Sequence, residues 1–317
     1  MTDASAHATD LVRLSETIIA KGSKSFAAAA RLFDRETRAG AYLLYAWCRH
    51  CDDVIDGQEL GFGSVPRTSV EMRASLEELR SQTRDALAGK PMSDPIFAAF
   101  QEVARRHQIP ERHPFELLEG FAMDAEGRAY ATIVDTLSYC YHVAGVVGVM
   151  MSHVMGARDA ATLDRASDLG LAFQLTNIAR DVVDDAKAGR IYLPRDWLAE
   201  AAIPPEAILA PEHRASLHAL AVRLLGLAEP YYASSHAGLA ELPLRSRWAV
   251  ATARNVYREI GREVERRGPR AWDKRVSTSR AQKLAAVALG AHASLSTPLT
   301  HRLFPSQSRD GLWTRPR

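Results

Sequence analysis

Cysteine is scarce in this sequence, with three residues in a chain of 317. Three cysteines are too few for a disulfide framework, so we expect a reducing compartment and a cytoplasmic location. The N-terminal segment lacks a basic stretch followed by an apolar core, so we predict no signal peptide. The best candidate for a membrane span, Val143–Met155, is shorter than the roughly 20 residues that a span requires, which favours a buried core helix.

Two kinds of nucleotide-related pattern are also missing. The net charge is +2, and no basic tract is interleaved with aromatic residues, so we expect no nucleic acid partner. No glycine-rich phosphate loop and no G-x-G-x-x-G follows a strand pattern, which excludes the usual nucleotide-binding folds. We recognise no nicotinamide site either and expect no NADPH requirement.

Helical periodicity dominates what is present, and no run of alternating strand residues is convincing. The breaks carry turn residues, as in GQELGFGSVP and AGRIYLP. We predict one all-α domain over residues 1–294 and a loosely held tail over 295–317, which is rich in Pro, Ser and Arg. The predicted helices are Thr37–Ile55, Val70–Leu87, Ile96–His107, Phe115–Asp124, Thr136–Met155, Ala161–Val183, one from Pro205, Arg214–Ala237 and Arg245–Arg267.

The stretch WCRHCDDVID, residues 47–56, is compatible with three kinds of chemistry. A W-C-x-x-C redox site normally follows a strand, but Cys48 lies inside a continuous helical pattern. A zinc site needs further ligands, but Cys140 is remote and no second C-x-x-C exists. Cys48 and Cys51 are therefore interpreted as small apolar residues of a core helix. The carboxylates of Asp52 and Asp56 remain, as ligands for a hard cation.

These carboxylates belong to a polar stripe. Tyr45, Arg49, Asp52 and Asp56 follow one another at spacings of 4, 3 and 4 residues. On a helix they fall within roughly 60° of one another, on an otherwise apolar segment. For an isolated D-x-x-x-D, an acidic solvated helix end is the simpler interpretation.

A second stripe of the same kind occurs in LGLAFQLTNIARDVVDD, residues 169–185. Gln174, Asn177, Asp181 and Asp185 fall within about 80° of one another on a helix whose other faces are apolar. Each acidic pair has an arginine nearby, Arg49 in the first case and Arg180 in the second. A buried row of carboxylates costs several kcal/mol unless cations neutralise it. Two such rows indicate a cavity that holds metal ions and an anion.

Oxygen ligands combined with arginines favour Mg²⁺, with Mn²⁺ as the alternative, and a substrate phosphate that completes the coordination. The paired N–H donors of an arginine guanidinium match the geometry of phosphate oxygens. The rest of the cavity should be apolar, because the helices are apolar elsewhere. This combination predicts a prenyl diphosphate substrate that ionises to an allylic cation, protected from water and faced by aromatic rings.

At these residues the chain resembles the squalene/phytoene synthase family, and most closely its bacterial phytoene-forming members. The resemblance runs from near the N-terminus to about residue 284, and the block QLTNIARD…GRIYLP is its most specific part. The matching segments are GSKSF at 22–26, YAWCRHCDDVID at 45–56, GFAMD at 120–124, YCYHVAGVVG at 139–148, LAFQLTNIARDVVDD at 171–185, GRIYLP at 189–194, ARNVYREIG at 253–261 and AWDKRVSTSR at 271–280.

The resemblance implies an isoprenoid synthase fold, a helical bundle around a central cavity. It also assigns roles to individual residues. Asp52, Asp56, Asn177, Asp181 and Asp185 would bind Mg²⁺, and the four aspartates would act with Tyr139 in catalysis. The implied substrate contacts are Ser23, Lys24, Ser25 and Phe26 in a flap, Arg49, Arg180 and Arg275 on diphosphate, Gln174 as a positioning residue, and Tyr45 and Tyr257 near diphosphate or the cationic carbons.

The implied activity is the head-to-head condensation of two geranylgeranyl diphosphates to phytoene through prephytoene diphosphate. Two alternatives stay open. One is a C30 synthase that makes squalene or dehydrosqualene from farnesyl diphosphate, and the other is an inactive scaffold homologue, which would have eroded metal motifs. We also expect transient contact with a membrane surface and with neighbouring carotenoid-pathway enzymes, because substrate and product are both lipophilic.

Overall fold

The computed structural model describes the backbone of residues 2–58, 60, 63, 67–303 and 308–317, and their side chains except those of 2–8, 24, 25 and 299–303. No β-strand occurs in these residues, so the predicted all-α class is confirmed. The helices are α1 (Thr2–Gly22), α2 (Lys24–Ala30), α3 (Arg35–Asp56), α4 (Ser69–Leu87), α5 (Pro95–His107), α6 (Arg112–Ala125), α7 (Ile133–Cys140), α8 (Val146–Val154), α9 (Ala160–Lys187), α10 (Arg195–Glu200), α11 (Arg214–Gly238), α12 (Leu244–Arg267) and α13 (Arg280–Leu303).

Most predicted helices appear within a few residues of their expected bounds, because their starts are encoded locally. Asp34, Asp94 and Asp159 cap α3, α5 and α9 by accepting hydrogen bonds from backbone N–H groups of the first turn. Thr68 forms a capping box with Glu71 at the start of α4.

Three details differ from the prediction. The helix expected over Thr136–Met155 contains a π-helical turn, Tyr141–Gly145, between α7 and α8. The segment from Pro205 forms only a short 3₁₀ turn, because prolines close together leave too few N–H donors for a helix. Helices α1, α2, α10 and α13 were not predicted.

Helix α9 lies at the centre of the bundle, packed between α8, α11 and α12. Glycines bring α8 and α9 unusually close. A Cβ atom on Gly148 would lie 2.4 Å from the carbonyl oxygen of Ala166, and one on Gly170 would lie 2.4 Å from that of Ala144. Any side chain at either position would push the two helices apart, so the position of the second carboxylate row depends on these glycines.

One stretch, Ile133–Val154, is long and apolar enough to cross a membrane by length and composition alone. Half of it is buried inside the protein. Val143, Val147 and Met151 from this stretch line the central cavity. It therefore occupies the position of a core helix, as expected for Val143–Met155.

The end of the chain differs from the predicted loose tail. Helix α13 continues to Leu303, past the expected boundary at 294. Farther on, Arg309 donates hydrogen bonds to both carboxylate oxygens of Asp168, at 2.7 and 2.8 Å. Arg315 is buried and donates to Asp164 at 2.7 Å. The tail docks because its arginines neutralise buried aspartates of α9, a pairing that composition does not reveal.

Candidate active site

The first carboxylate row, on α3, is held by an arginine. The Arg49 guanidinium lies 2.7 Å from the Asp52 carboxylate and donates two hydrogen bonds of 2.9 Å to Asp53. The other Asp53 oxygen accepts a hydrogen bond from the backbone N–H of Leu60. Asp53 thus orients Arg49 and anchors the following loop, whereas Asp52 faces the cavity.

The second row, on α9, is held in the same way. Arg180 Nε donates to Asp181 at 2.8 Å, and the same guanidinium donates a second hydrogen bond to the other carboxylate oxygen. Arg275 adds a hydrogen bond to Asp181 at 3.2 Å. The Asn177 amide nitrogen lies 3.3 Å from Gln174 Oε1 and donates to it. Asp181 is therefore surrounded by guanidinium groups, whereas the helix positions before it carry the amide groups of Asn177 and Gln174.

The two rows meet in a small polar cavity of about 180 Å³ that Asp52, Asp56, Asp181 and Asp185 all line. Arg190 bridges toward the first row, with its guanidinium nitrogen 2.5 Å from Asp56. The two rows therefore face each other across this cavity, as the two helical stripes predicted.

A fifth acidic residue, Asp124 of α6, also lines this cavity. It accepts hydrogen bonds from the hydroxyls of Tyr139, at 3.0 Å, and Tyr192, at 2.8 Å. The two tyrosine rings stack with centroids 4.6 Å apart. The backbone carbonyl of Tyr192 accepts a hydrogen bond from Thr136, which fixes the GRIYLP loop on α7. Tyr139 is therefore a wall residue of the acidic cavity.

Burial sets the protonation of the acidic groups. Desolvation, with neighbouring carboxylates as the further cause, raises the pKa of Asp52 to about 7, that of Asp124 to about 6 and that of Asp185 to about 8. Burial also acts on Asp181, but the hydrogen bond and charge of Arg180 hold its pKa below the ordinary value. The cavity holds five aspartates against two arginines, and a bound cation would favour the charged form of those aspartates whose pKa burial raises.

The polar cavity opens into an apolar one of about 570 Å³. Asp52, Asp124, Tyr139, Gln174, Asn177 and Arg180 line both spaces. Aromatic rings stand just inside the larger one. Phe173 and Tyr257 stack with centroids 4.1 Å apart, and Phe26 lies 5.7 Å from Tyr257. Beyond them the lining is aliphatic, including Ile19, Met155 and Leu242. A charged head and a long apolar tail would both be accommodated.

The structure brings the predicted site residues together around these two cavities. The larger cavity is lined by Ser23, Phe26, Tyr45, Arg49, Asp52, Tyr139, Gln174, Asn177, Arg180, Tyr257 and Arg275, and the smaller one adds Asp56, Asp181 and Asp185. The Ser23 hydroxyl accepts a hydrogen bond from the Phe26 N–H as the cap of α2. The side chains of Lys24 and Ser25 lie outside the described residues.

The residues of the polar cavity fit a Mg²⁺ ion. Asn177 Oδ1 is buried and has no hydrogen-bond partner in the described residues, although a buried amide oxygen normally has one. Among the described residues, no three His, Cys, Asp or Glu side chains already form a metal-ligand group. This agrees with a site in which carboxylates supply a few ligands, while substrate oxygens and water supply the rest.

The two cysteines of α3 are poorly suited to this chemistry, although Cys48 lines the larger cavity. Burial raises the pKa of Cys48 to about 12 and that of Cys51 well above its ordinary range. A protonated thiol is neither a good nucleophile nor a metal ligand. Of the three interpretations of WCRHCDDVID, the geometry favours the carboxylate site.

Three residues of the site were not assigned a role from the sequence: Asp124, Arg190 and Tyr192. Asp124 has no periodic partner in GFAMD, so spacing could not reveal it. Arg190 and Tyr192 lie in GRIYLP, which is the block that follows the second row. An Arg and a Tyr in a turn directly after the helix of the second carboxylate row are a weak signal for contacts back to that row.

Comparison with known proteins gives a consistent result. The model of the squalene/phytoene synthase family matches residues 19–282. A 15-cis-phytoene synthase of Pantoea ananas is 54% identical over 299 residues, which cover 94% of this chain and 96% of that protein. A 15-cis-phytoene synthase of Paracoccus sp. is 50% identical over 309 residues, with coverage of 97% and 99%.

Solved structures agree on the fold. The crystal structure of a dehydrosqualene synthase in complex with a ligand superposes with a TM-score of 0.83 at 29% identity, covering 93% of this chain and 100% of that one. The crystal structure of a squalene synthase from Alicyclobacillus acidocaldarius has a TM-score of 0.71 at 22% identity, covering 83% and 96%.

Proposed function

Because the chain belongs to the squalene/phytoene synthase family, we propose that its two facing carboxylate rows hold Mg²⁺ and a prenyl diphosphate during catalysis. The chain is a prenyltransferase that condenses two geranylgeranyl diphosphates to phytoene, a step of carotenoid biosynthesis. The observation that carries the site proposal is the meeting of both rows in one polar cavity that opens into an apolar one.

Asp52 and Asp56 would hold the metal from α3, and Asn177, Asp181 and Asp185 from α9. Mg²⁺, or Mn²⁺ in its place, would neutralise diphosphate and make it a better leaving group when bound. Asn177 Oδ1, which has no hydrogen-bond partner among the described residues, supports this assignment, as does the excess of aspartates over arginines in the polar cavity.

The arginines would exchange partners when the substrate binds. Arg49, Arg180 and Arg275 contact Asp52, Asp53 or Asp181 in the present structure. Each guanidinium could then donate paired hydrogen bonds to diphosphate oxygens, while the carboxylates would be free to hold the metal. Ser23, Lys24, Ser25 and Phe26, with Gln174, would hold the diphosphate end from the α2 side.

The aromatic wall would protect the reacting carbons. Phe26, Phe173 and Tyr257 line the larger cavity, where an allylic cation would form beside their rings. Burial and neighbouring charges raise the pKa of Tyr45 to about 12, so its hydroxyl stays protonated and donates hydrogen bonds. Tyr139 would hold Asp124 in place beside the reaction.

The product assay tests this proposal. Purified protein is incubated with Mg²⁺ and either geranylgeranyl or farnesyl diphosphate, with and without NADPH, and the extracted products are identified by mass. We expect a C40 product that requires Mg²⁺ and not NADPH. A C30 product alone would move the substrate assignment to farnesyl diphosphate. No product from folded protein would favour a scaffold role.

We also propose a cytoplasmic protein that touches the membrane surface and works beside other enzymes of the carotenoid pathway. The chemistry supports this, since the substrates are amphiphilic and a C40 hydrocarbon has to reach a lipid phase. Flotation with liposomes tests membrane contact, and a protein that ignores them with and without substrate contradicts it.

A further inference from the structure

Helix α13 turns an apolar face to solvent. Leu284, Leu289 and Leu295 are 71%, 60% and 70% exposed, among the highest values for large apolar side chains in the described residues. Together with the exposed residues between them they cover about 140° of the helix. We call this the outer face of α13, and it consists of Ala281, Leu284, Ala285, Ala288, Leu289, His292 and Leu295.

The opposite side of α13 is fixed on α12. Gly290 packs so closely that a Cβ atom would lie 2.4 Å from the Thr252 hydroxyl oxygen. Trp248 donates a hydrogen bond to the carbonyl of Val287 at 2.9 Å, and Arg247 donates one to that of Ser294 at 2.8 Å. The helix cannot rotate its leucines inward without losing these contacts, so the fold itself leaves the outer face uncovered.

Along the sequence, the stretch that contains this helix carries charge of one sign, although Glu259 of α12 accepts a hydrogen bond from Gln282. From residue 274 to residue 309 the sequence contains six basic residues and no Asp or Glu, although the net charge of the whole chain is +2. The remainder of the chain is therefore net negative. Arg275 and Arg309 pair with Asp181 and Asp168, and the other four basic residues flank or belong to α13. They are Lys274, Arg280, Lys283 and Arg302.

An apolar helix face in a basic stretch of sequence, with Lys274 and Arg280 near its N-terminal end and Arg302 near its C-terminal end, complements a membrane that carries anionic headgroups. A second copy of the chain fits less well. Whether two α13 helices met in parallel or antiparallel, the basic residues of one would lie near those of the other and repel them. The basic residues of this stretch thus favour binding to an anionic lipid surface over association with a second copy of the chain.

The helix is also close to the apolar cavity. Ala249, Val250 and Tyr257 of α12 line the cavity, while α13 covers another side of α12. Ala293 of α13 packs against the apolar cluster that includes the cavity residues Ile19 and Leu242. One helix layer therefore separates the outer face from the space that would hold the hydrocarbon.

We propose that the outer face of α13 docks the protein on the surface of an anionic lipid bilayer. The inference deepens the proposed function and rests on it, since an enzyme that handles prenyl chains gains by lying against the phase that stores them. The leucines insert among the acyl chains near the headgroups, and the flanking basic residues contact lipid phosphates.

Flotation with vesicles of phosphatidylglycerol and phosphatidylcholine tests this surface. The variant L284E/L289E places two charges on the outer face. The matched control V70E/V134E places two charges at valines that are 68% and 57% exposed on α4 and α7. We expect the wild type and the control to float, and the α13 variant to lose about tenfold or more of its partition coefficient, because its apolar contact is replaced by charge.

Equal flotation of both variants would overturn the proposal, as would a wild type that does not bind these vesicles. A wild-type dimer that only the α13 variant dissociates, seen in sedimentation, would overturn it in favour of a second copy. The milder L284S/L289S repeats the test if the glutamates impair folding. Phytoene formation in detergent micelles is measured in parallel. Its absence with flotation intact would contradict the proposed function and leave the docking surface standing.

Discussion

The Arg190 guanidinium donates a hydrogen bond of 2.5 Å to the Asp56 carboxylate, although 134 residues separate them. The contact ties the loop after α9 to the end of α3, so that both carboxylate rows share one rigid frame. Burial alone would lower the pKa of Arg190, but the bond to Asp56 and the nearby carboxylates raise it above its ordinary value. The cation therefore stays charged throughout the pH range of the enzyme.

Replacing Arg190 with glutamine should impair catalysis more than folding. Without this cation Asp56 and Asp124 would face each other unbalanced, and we expect kcat/KM to fall about 10²- to 10³-fold, the usual effect of losing one preorganised electrostatic contact. Arg262→Gln, an exposed arginine of α12 paired only with Glu259 at 3.5 Å in the described contacts, is the control and should behave as wild type. Unchanged kinetics in Arg190→Gln contradict the assignment.

Substituting an aspartate of either carboxylate row should impair catalysis, whereas substituting a neighbouring exposed aspartate should not. Asp52→Asn or Asp181→Asn should fold normally and lose turnover about 10²- to 10³-fold at limiting Mg²⁺, because each removes a charge from the metal cavity. Asp184→Asn removes an exposed carboxylate that contacts Lys187, one position from Asp185, and should keep its activity. Steady-state rates across a Mg²⁺ titration decide this, and normal turnover of Asp52→Asn would falsify the metal site.

Removing the hydroxyl of Tyr139 should lower kcat, whereas removing that of Tyr141, two residues later, should lower stability. Tyr139→Phe removes a donor to Asp124 at the cavity wall, and we expect kcat to fall about tenfold or more with little loss of stability, since Tyr192 still holds Asp124. Tyr141→Phe removes the donor to Glu116, outside the cavity. It should lower the unfolding free energy by about 1 kcal/mol and leave kcat unchanged. Thermal melts and rates on both variants are the measurement, and the reverse pattern is incompatible with this placement.

The thiols of α3 should be inert. Since burial raises the pKa of Cys48 to about 12, its thiolate is rare at pH 8, and iodoacetamide should label folded protein slowly at Cys48 and Cys51. The double variant Cys48→Ala/Cys51→Ala should remain active, at some cost in stability from the lost packing. Fast labelling that abolishes activity, together with an inactive double variant, would revive a thiol mechanism.

The docked tail should contribute to stability. Arg309→Ala leaves Asp168 buried without its bidentate partner, and removing one member of a buried pair costs about 3–5 kcal/mol. Arg317→Ala, whose side chain is 72% exposed and 3.4 Å from Asp164, should cost much less. Chemical denaturation of both variants gives the comparison. Equal midpoints for Arg309→Ala and wild type would indicate that the tail is loosely held, as its composition suggests.

The sequence by itself determined helices α3 and α9 and the two carboxylate rows that they carry. Capping residues such as Asp34 and Asp159, and apolar periodicity, act within a few residues, so local pattern is enough to place α3 and α9. The same periodicity places Asp52 beside Asp56 and Asp181 beside Asp185. The long block from Gln174 to Pro194 then connects both rows with one family.

Tertiary structure alone decided which groups complete the site. Asp124 meets Tyr139 and Tyr192 because α6, α7 and the GRIYLP loop pack side by side, and no spacing in the sequence encodes that contact. The tail arginines find Asp164 and Asp168 in the same way. Periodicity reports which face a residue occupies on its own helix, but the partner on another helix depends on packing across the whole bundle.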